Sequence, residues 1–144
     1  MKTRIARLFF GLFLLTTAYG QDIKALNGYK YLSLPTIKWS DGRIDPYGIA
    51  RRVGDYFAKK GFVVIAGQST RPNELQIDPC LLLNCSIEGR MGFDASVTIT
   101  LQNCKNERVF SNKGRGISVV SDVDAYYVAI RKALAPLNSL GNCR

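Results

Sequence analysis

The sequence predicts an α+β fold, a two-layer sandwich in which one mixed or antiparallel sheet of four to five strands carries two helices on one face. The elements are expected in the order β-α-β-β-β-α. Residues 81–101 place apolar side chains at alternate positions, which is the period of a half-buried strand. Residues 45–61 and 121–137 instead repeat them every three or four positions, as in a helix that buries one face. One sheet covered by both helices buries all of these faces.

The first twenty residues have the pattern of a secretory signal peptide. Three basic side chains within residues 1–7 precede an almost entirely apolar run, Leu8–Leu15, and small residues follow at 18 and 20. This run is too short to cross a bilayer, which takes roughly 20 residues. We therefore expect cleavage before Gln21, a single α/β domain over 21–144, and a periplasmic or secreted protein with no transmembrane segment in the mature chain. A lipid-anchor cysteine is not expected, because the first cysteine is Cys80.

The first half of the predicted domain reads as a strand, a helix and a strand after a polar lead-in. Tyr29–Leu34 alternates and stops before a proline. The helix is predicted to begin at Asp45 and Pro46. The Asp45 carboxylate can accept hydrogen bonds from the free backbone N–H groups of the first turn. Proline is favoured at the first helical position, because the backbone N–H that it lacks would have no partner there. Gly61 is expected to close it in a left-handed conformation. The apolar, β-branched segment Phe62–Ala66 then reads as the second strand.

The second half reads as a meander. Residues 81–88 and 95–102 keep apolar side chains at odd positions and are predicted to form a hairpin over the glycine-bearing segment 89–92. Residues 108–111 are predicted to add a third strand. Residues 117–120 either end that strand or form another short one.

A final helix is predicted from Ser121, because Ser121 with Asp124 three residues later resembles a capping box. This helix is expected to end near Pro136. Residues 67–79 and 113–116 are interpreted as loops, the second one basic and flexible.

Four cysteines in an exported chain predict up to two disulfide bonds. Cys80 and Cys104 occupy even-numbered positions, which face solvent in the paired strands. Cys85 occupies an odd-numbered position on the core side, where the last helix should bring Cys143. The favoured pairing is therefore Cys80–Cys104 with Cys85–Cys143. The alternative is Cys80–Cys85 with Cys104–Cys143. A zinc site is not expected, because the cysteine spacing lacks close pairs of ligands and histidine is absent.

The chain contains no histidine, which argues against the common nucleophilic triads and most catalytic metal sites. Paired carboxylates are the remaining catalytic option, and Glu88 and Asp94 flank the predicted hairpin loop. Two acids beside a turn are usually solvated, so an acid-only hydrolase is a minor alternative. We expect no enzyme activity, no catalytic residues, no cofactor and no metal.

The charge balance is typical of a solvated cationic surface, and binding of an anionic partner is the alternative. The net charge is +9 over the whole chain; without residues 1–20, seventeen basic and eleven acidic residues leave +6. The anionic partners available to a basic protein outside the cytoplasm are anionic lipid, lipopolysaccharide, acidic polymers and acidic protein surfaces, and not nucleic acid. The candidate anion-binding side chains are Arg51, Arg52, Lys59, Lys60, Lys113 and Arg115.

Several segments occur in an order that resembles a known type of domain. These are Tyr29–Pro35, Phe57–Phe62, Val97–Gln102, Asn106–Phe110 and Ala125–Leu137. The chain resembles the small α/β domains of bacterial envelope proteins, such as the amino-terminal domain of TolB and the curli-secretion lipoprotein, and related periplasmic proteins of unknown function. This resemblance implies protein–protein contact or envelope assembly and no catalytic residues.

The leading hypothesis is therefore a non-enzymatic exported envelope protein that acts as a protein-binding or assembly module, with another envelope protein as its partner. Its contact surface is expected on the sheet face away from the helices or on an edge strand. The alternative is a peripheral binder of anionic lipid, lipopolysaccharide or acidic polymer through a basic helix face.

Overall fold

A mixed five-stranded sheet forms the centre of the computed structural model, which describes residues 22–38, 42–67 and 69–141. The predicted signal peptide, residues 1–20, lies outside this range. The strands are β1 Tyr31–Leu34, β2 Val63–Ala66, β3 Leu82–Met91, β4 Ala95–Gln102 and β5 Arg108–Gly116. The helices are α1 Ile49–Lys59, α2 Glu74–Ile77 and α3 Asp122–Leu134. Short 3₁₀ helices cover Ile23–Gly28, Pro79–Leu81 and Ala135–Ser139.

The strands lie in the order β2-β1-β3-β4-β5. β1 is parallel to both of its neighbours, β2 and β3. β3, β4 and β5 form an antiparallel meander. The predicted α+β architecture with a mixed sheet is therefore confirmed, and β2 and β5 are the two edge strands.

Both long helices pack on one face of the sheet, as the sequence predicts. In β4 the odd-numbered side chains are fully buried, while Thr98 and Thr100 on the other face are half-buried. The odd side chains share the main core with Val53 and Phe57 of α1 and with Tyr126 of α3. The period-two pattern of the sequence therefore identifies the core face of the sheet correctly.

α1 begins at Ile49, later than predicted, yet it is capped by the predicted residue. Asp45 adopts a left-handed conformation, with φ of 43°. Its carboxylate accepts hydrogen bonds from the backbone N–H groups of Ile49 at 2.6 Å, Ala50 at 3.1 Å and Arg51 at 3.2 Å. Residues 45–48 form a turn, closed by a bond from the N–H of Gly48 to the carbonyl of Asp45. The carboxylate therefore reaches forward over this turn to the free amides of the helix.

The end of α1 follows the prediction. Gly61 has a φ of 95°, and its N–H donates to the carbonyl of Ala58 at 3.0 Å. The N–H of Phe62 donates to the carbonyl of Phe57 at 3.1 Å, which completes a Schellman motif. The rings of Phe57 and Phe62 meet edge to face with centroids 5.4 Å apart. This contact ties the helix end to the start of β2.

The prediction of a loop over residues 67–79 is wrong in part, because α2 lies there. Leu75 of α2 packs with Tyr31, Ile65 and Leu82 in a small second core, on the sheet face opposite the two long helices. The carboxylate of Glu74 accepts hydrogen bonds from Lys30 and Tyr31, each at 2.6 Å. A single helical turn is too short to show a helical period in the sequence.

β5 is longer than predicted, and the interpretation of Lys113–Gly116 as a flexible loop is wrong. These residues pair with β4 as far as Gly116, opposite Ala95. A Cβ atom built on Gly114 would lie 1.8 Å from the carbonyl oxygen of Ala129, and one on Gly116 would lie 1.9 Å from that of Ala125. The glycines therefore mark the close approach of α3 to the strand rather than a loop.

The turns around these strands also differ from the prediction. β3 continues to Met91, so the hairpin turns at residues 92–94 instead of 89–92. Residues 117–120 lie outside the strands. α3 follows with Ser121 as its predicted cap, whose hydroxyl accepts from the N–H of Asp124 at 3.2 Å. The return bond of a capping box is not formed, because the N–H of Ser121 donates to the hydroxyl of Ser118 at 3.4 Å.

The structure contains the Cys80–Cys104 disulfide bond, with Cα atoms 4.9 Å apart. It joins the 3₁₀ turn before β3 to the turn between β4 and β5. Cys85 is a free, buried thiol, which differs from the predicted Cys85–Cys143 bond. Cys143 itself lies outside the described residues.

Candidate functional site: a groove between two helices

The six predicted anion-binding side chains do not form one patch. Arg52 and Lys60 lie on the flank of α1 that faces α3 and the turn after it. Arg51 and Lys59 are exposed. Because Gly114 and Gly116 point toward α3, the alternate residues Lys113 and Arg115 lie on the opposite face of the sheet. The structure therefore separates these cations.

A groove of about 380 Å³ runs between α1 and α3. Arg52 and Tyr56 are one helical turn apart on α1, and Tyr127 and Arg131 are one turn apart on α3, so each helix presents a short stripe to the other. The full lining is Arg52, Tyr56, Tyr127, Val128, Ile130, Arg131, Leu134 and Asn138. Among the described residues, this lining contributes two guanidinium groups and no carboxylate.

Arg52 is held in place by an aromatic ring. Its guanidinium carbon lies 3.2 Å from the centroid of the Tyr127 ring, a stacked cation–π contact. The Nε atom of Arg52 is buried and has no hydrogen-bond partner within the described part of the chain. Across residues 22–38, 42–67 and 69–141, neither Arg52 nor Arg131 forms an ion pair. Both charges are therefore available to a ligand.

A hydrogen-bonded cluster closes the far end of the groove. The ammonium of Lys60 donates to the carbonyl of Asn138 at 3.1 Å and to that of Leu140 at 2.8 Å. The hydroxyl of Tyr56 donates to Oδ1 of Asn138 at 3.2 Å. Burial raises the pKa of Tyr56, so this hydroxyl remains a donor. Lys60, one of the predicted anion-binding residues, thus anchors the turn after α3.

Sequence reasoning interpreted Tyr127 as part of the core between the helices and did not identify Arg131. Their spacing on α3 is visible in the sequence, but the pairing with Arg52 depends on how α1 and α3 lie side by side. Two acids predicted as a minor catalytic option, Glu88 and Asp94, do not line the groove. Glu88 is exposed opposite Thr98, and Asp94 lies 4.0 Å from a guanidinium nitrogen of Arg115.

The β3–β4 turn and the segment after β5 carry an exposed apolar surface that the sequence analysis also missed. Met91, Ala95 and Gly116 are neighbours across β3, β4 and β5, so the β3–β4 turn lies beside the segment that follows β5. We call the exposed apolar side chains of these two segments the apolar tip: Met91, Phe93, Ile117, Val119 and Val120. Phe93 and Val119 are fully exposed, at 109% and 101%.

Within the described residues, no group of three or more His, Cys, Asp and Glu side chains is arranged to hold a metal ion. Nor does that part of the chain contain a helix with the length and apolar character needed to cross a membrane.

No protein-family model and no curated protein sequence matches this chain. Among solved structures, the chain is similar to a PelC dodecamer from Paraburkholderia phytofirmans, solved as a point variant of that protein. The two share 15% sequence identity with a TM-score of 0.50, over 77% of this chain and 90% of that one. This likeness supports the α/β fold described above. The resemblance to the TolB and curli-secretion domains stays a prediction.

Proposed function

We propose that this chain is a non-enzymatic exported envelope protein that acts as an assembly module, and that its apolar tip binds a second copy of the chain. The exposure of five apolar side chains on two adjacent segments is the observation that carries the proposal. A cluster of this kind marks an interaction surface, because leaving it in water is unfavourable.

Self-association is favoured over binding of an unrelated partner by the comparison with PelC, whose structure is described as a dodecamer. The apolar tip is also a better candidate for a protein–protein contact surface than the sheet face predicted from the sequence. Part of that face is covered by α2, and the remainder presents Thr98, Thr100 and Lys113. An edge strand remains compatible with the proposal, since β5 ends at the tip.

The absence of an enzymatic role is part of the proposal. The sequence contains no histidine, and the described groove holds arginine and tyrosine side chains without a carboxylate. Such a groove binds anions, but it offers no general base near neutral pH. This arrangement supports a binding role instead of acid-only hydrolysis.

Sedimentation velocity of the protein recovered after export tests the proposal. We expect an oligomer at micromolar concentration and dissociation on introducing Phe93→Ser together with Val119→Ser. Each substitution removes a side chain whose burial contributes about 1.5–3 kcal/mol, so association should weaken by at least about a hundredfold.

Ile77→Ser is the matched control, because Ile77 is 86% exposed but lies on α2, outside the apolar tip. It should leave the oligomer intact. A wild-type protein that stays monomeric at all accessible concentrations, or equal dissociation by Ile77→Ser, would show that the tip is not the assembly surface.

A further inference from the structure

We propose that the groove between α1 and α3 binds an acidic saccharide, with Arg52 and Arg131 contacting its carboxylates. This inference does not depend on self-association through the apolar tip, which involves other residues. It concerns a site that sequence reasoning placed only as a general basic helix face.

The charge of the groove selects an anion. Of the side chains that the structure describes, two guanidinium groups line it and no acidic group does. Arg52 uses the face of its guanidinium against Tyr127, which leaves the N–H edge for a ligand. Its buried Nε atom has no acceptor among the described residues. That atom is closed to solvent, so a carboxylate in the groove accepts from the terminal N–H groups of the guanidinium, in a charge-assisted hydrogen bond.

The remaining lining favours a sugar ring beside that carboxylate. Tyr56 and Val128, both half-buried in the groove wall, offer apolar contact for the C–H face of a ring, and Asn138 offers an amide to hydroxyl groups. A volume of about 380 Å³ lies in the range of small-ligand pockets. The groove therefore fits a short segment of a polymer better than a simple inorganic ion.

A lipid surface fits the groove less well. Insertion into a bilayer needs exposed apolar side chains beside the cations. The large apolar side chains that are exposed include Phe93 and Val119 of the apolar tip, and none of them lines the groove. The observations thus favour a soluble acidic saccharide over an anionic membrane.

Isothermal titration calorimetry with tetragalacturonate tests the proposal, using the protein recovered after export. We expect one binding site per chain and no binding of the fully methyl-esterified tetramer, which has the same rings without charge. Arg52→Gln and Arg131→Gln should each weaken binding by roughly 10- to 100-fold, because each removes a hydrogen-bonded charge.

Arg51→Gln is the matched control, since Arg51 belongs to the same helix but is exposed and lies outside the groove. It removes the same charge and should change affinity less than about twofold, the effect of a screened surface charge. Thermal unfolding of each variant establishes that it is folded. Arg131→Gln alters an exposed side chain and keeps the test valid if Arg52→Gln is unstable.

Several outcomes would overturn the proposal. These are the absence of tetragalacturonate binding, equal binding of the esterified tetramer, and an Arg51→Gln variant as weak as Arg52→Gln. Inorganic phosphate, phosphatidylglycerol vesicles or an acidic peptide that bind where tetragalacturonate does not would assign the groove to another ligand and overturn it as well.

Discussion

At the scale of single residues, two glycines determine how α3 meets the sheet. A Cβ atom on Gly114 would lie 1.8 Å from the carbonyl oxygen of Ala129 and 2.5 Å from the backbone nitrogen of Ala133. Both neighbours are helix backbone, which cannot rotate away as a side chain does. The helix and the strand therefore touch backbone to backbone, and only a residue without a side chain fits between them.

Replacing Gly114 by alanine should lower the free energy of unfolding by about 3 kcal/mol, because α3 must move away from β5 to admit the methyl group. Urea denaturation followed by circular dichroism measures the change. Gly92→Ala is the control, since a Cβ atom there meets nothing within 4 Å, and its effect should stay within about 0.5 kcal/mol. Similar losses at both positions would show that the contact is not tight.

Cys85 is the second residue whose surroundings determine its chemistry. Burial raises the pKa of its thiol from 9.0 to about 12, because the apolar core disfavours the thiolate. The folded protein thus holds this proton more tightly than the unfolded chain. The corresponding stability is present below pH 9 and is lost as the pH rises toward 12.

In a Cys143→Ser variant, Cys85 is expected to be the only free thiol, since Cys80 and Cys104 are bonded to each other. At pH 8 a disulfide reagent should modify it at least about a hundredfold more slowly in the native protein than in urea, because the thiolate is the reactive form. Equal rates in both conditions would contradict the buried position of Cys85.

At the scale of elements, the helix ends show how local sequence signals act. Asp45 supplies three hydrogen bonds to the first turn of α1, and the glycine at 61 ends the helix as predicted. The prediction placed the start of the helix too early, because the turn over residues 45–48 uses the same residue types as a helix start. The caps were predictable, whereas the boundary was not.

Asp45→Ala should lower the free energy of unfolding by about 2 kcal/mol, since it removes the cap and places alanine in a left-handed conformation. Asp45→Asn keeps an acceptor oxygen and tolerates that conformation, so its loss should be smaller. Asp55→Ala on the exposed side of α1 is the control and should change stability by less than about 0.5 kcal/mol. Chemical denaturation of the three variants separates these outcomes.

At the scale of the whole molecule, the predicted export of the chain agrees with the presence of a disulfide bond. A disulfide bond between Cys80 and Cys104 needs an oxidising compartment to form and persist. This agrees with the secretory signal predicted for residues 1–20, which lie outside the described part of the chain. The bond links the segment before β3 to the β4–β5 turn, so it also connects two parts of the fold that are distant in sequence.

When all 144 residues are expressed in a bacterium, we expect the protein in the periplasmic fraction, beginning at Gln21 and oxidised at Cys80 and Cys104. Intact-mass and peptide mass spectrometry measure both features. A variant with Leu12→Arg and Leu14→Arg, which interrupts the apolar run, should stay unprocessed in the cytoplasm. An unprocessed wild-type protein in the cytoplasm would contradict export.

The sequence by itself determined which face is buried in the two long helices and in the β3–β4 hairpin. The alternation through Val97 and Ile99 and the spacing of Val53 and Phe57 specify the core sides of β4 and α1, because these periods reflect local geometry. The same parity indicated the Cys80–Cys104 bond.

Only the tertiary structure decided which surfaces adjoin. Arg52 contacts Tyr127 and lines one groove with Arg131, and Phe93 and Val119 lie on neighbouring segments of the apolar tip, although these residues are far apart in the chain. Strand order and helix packing bring them together, and both result from many weak contacts summed over the whole core. The hydrophobic period of a single element therefore does not predict which elements lie side by side.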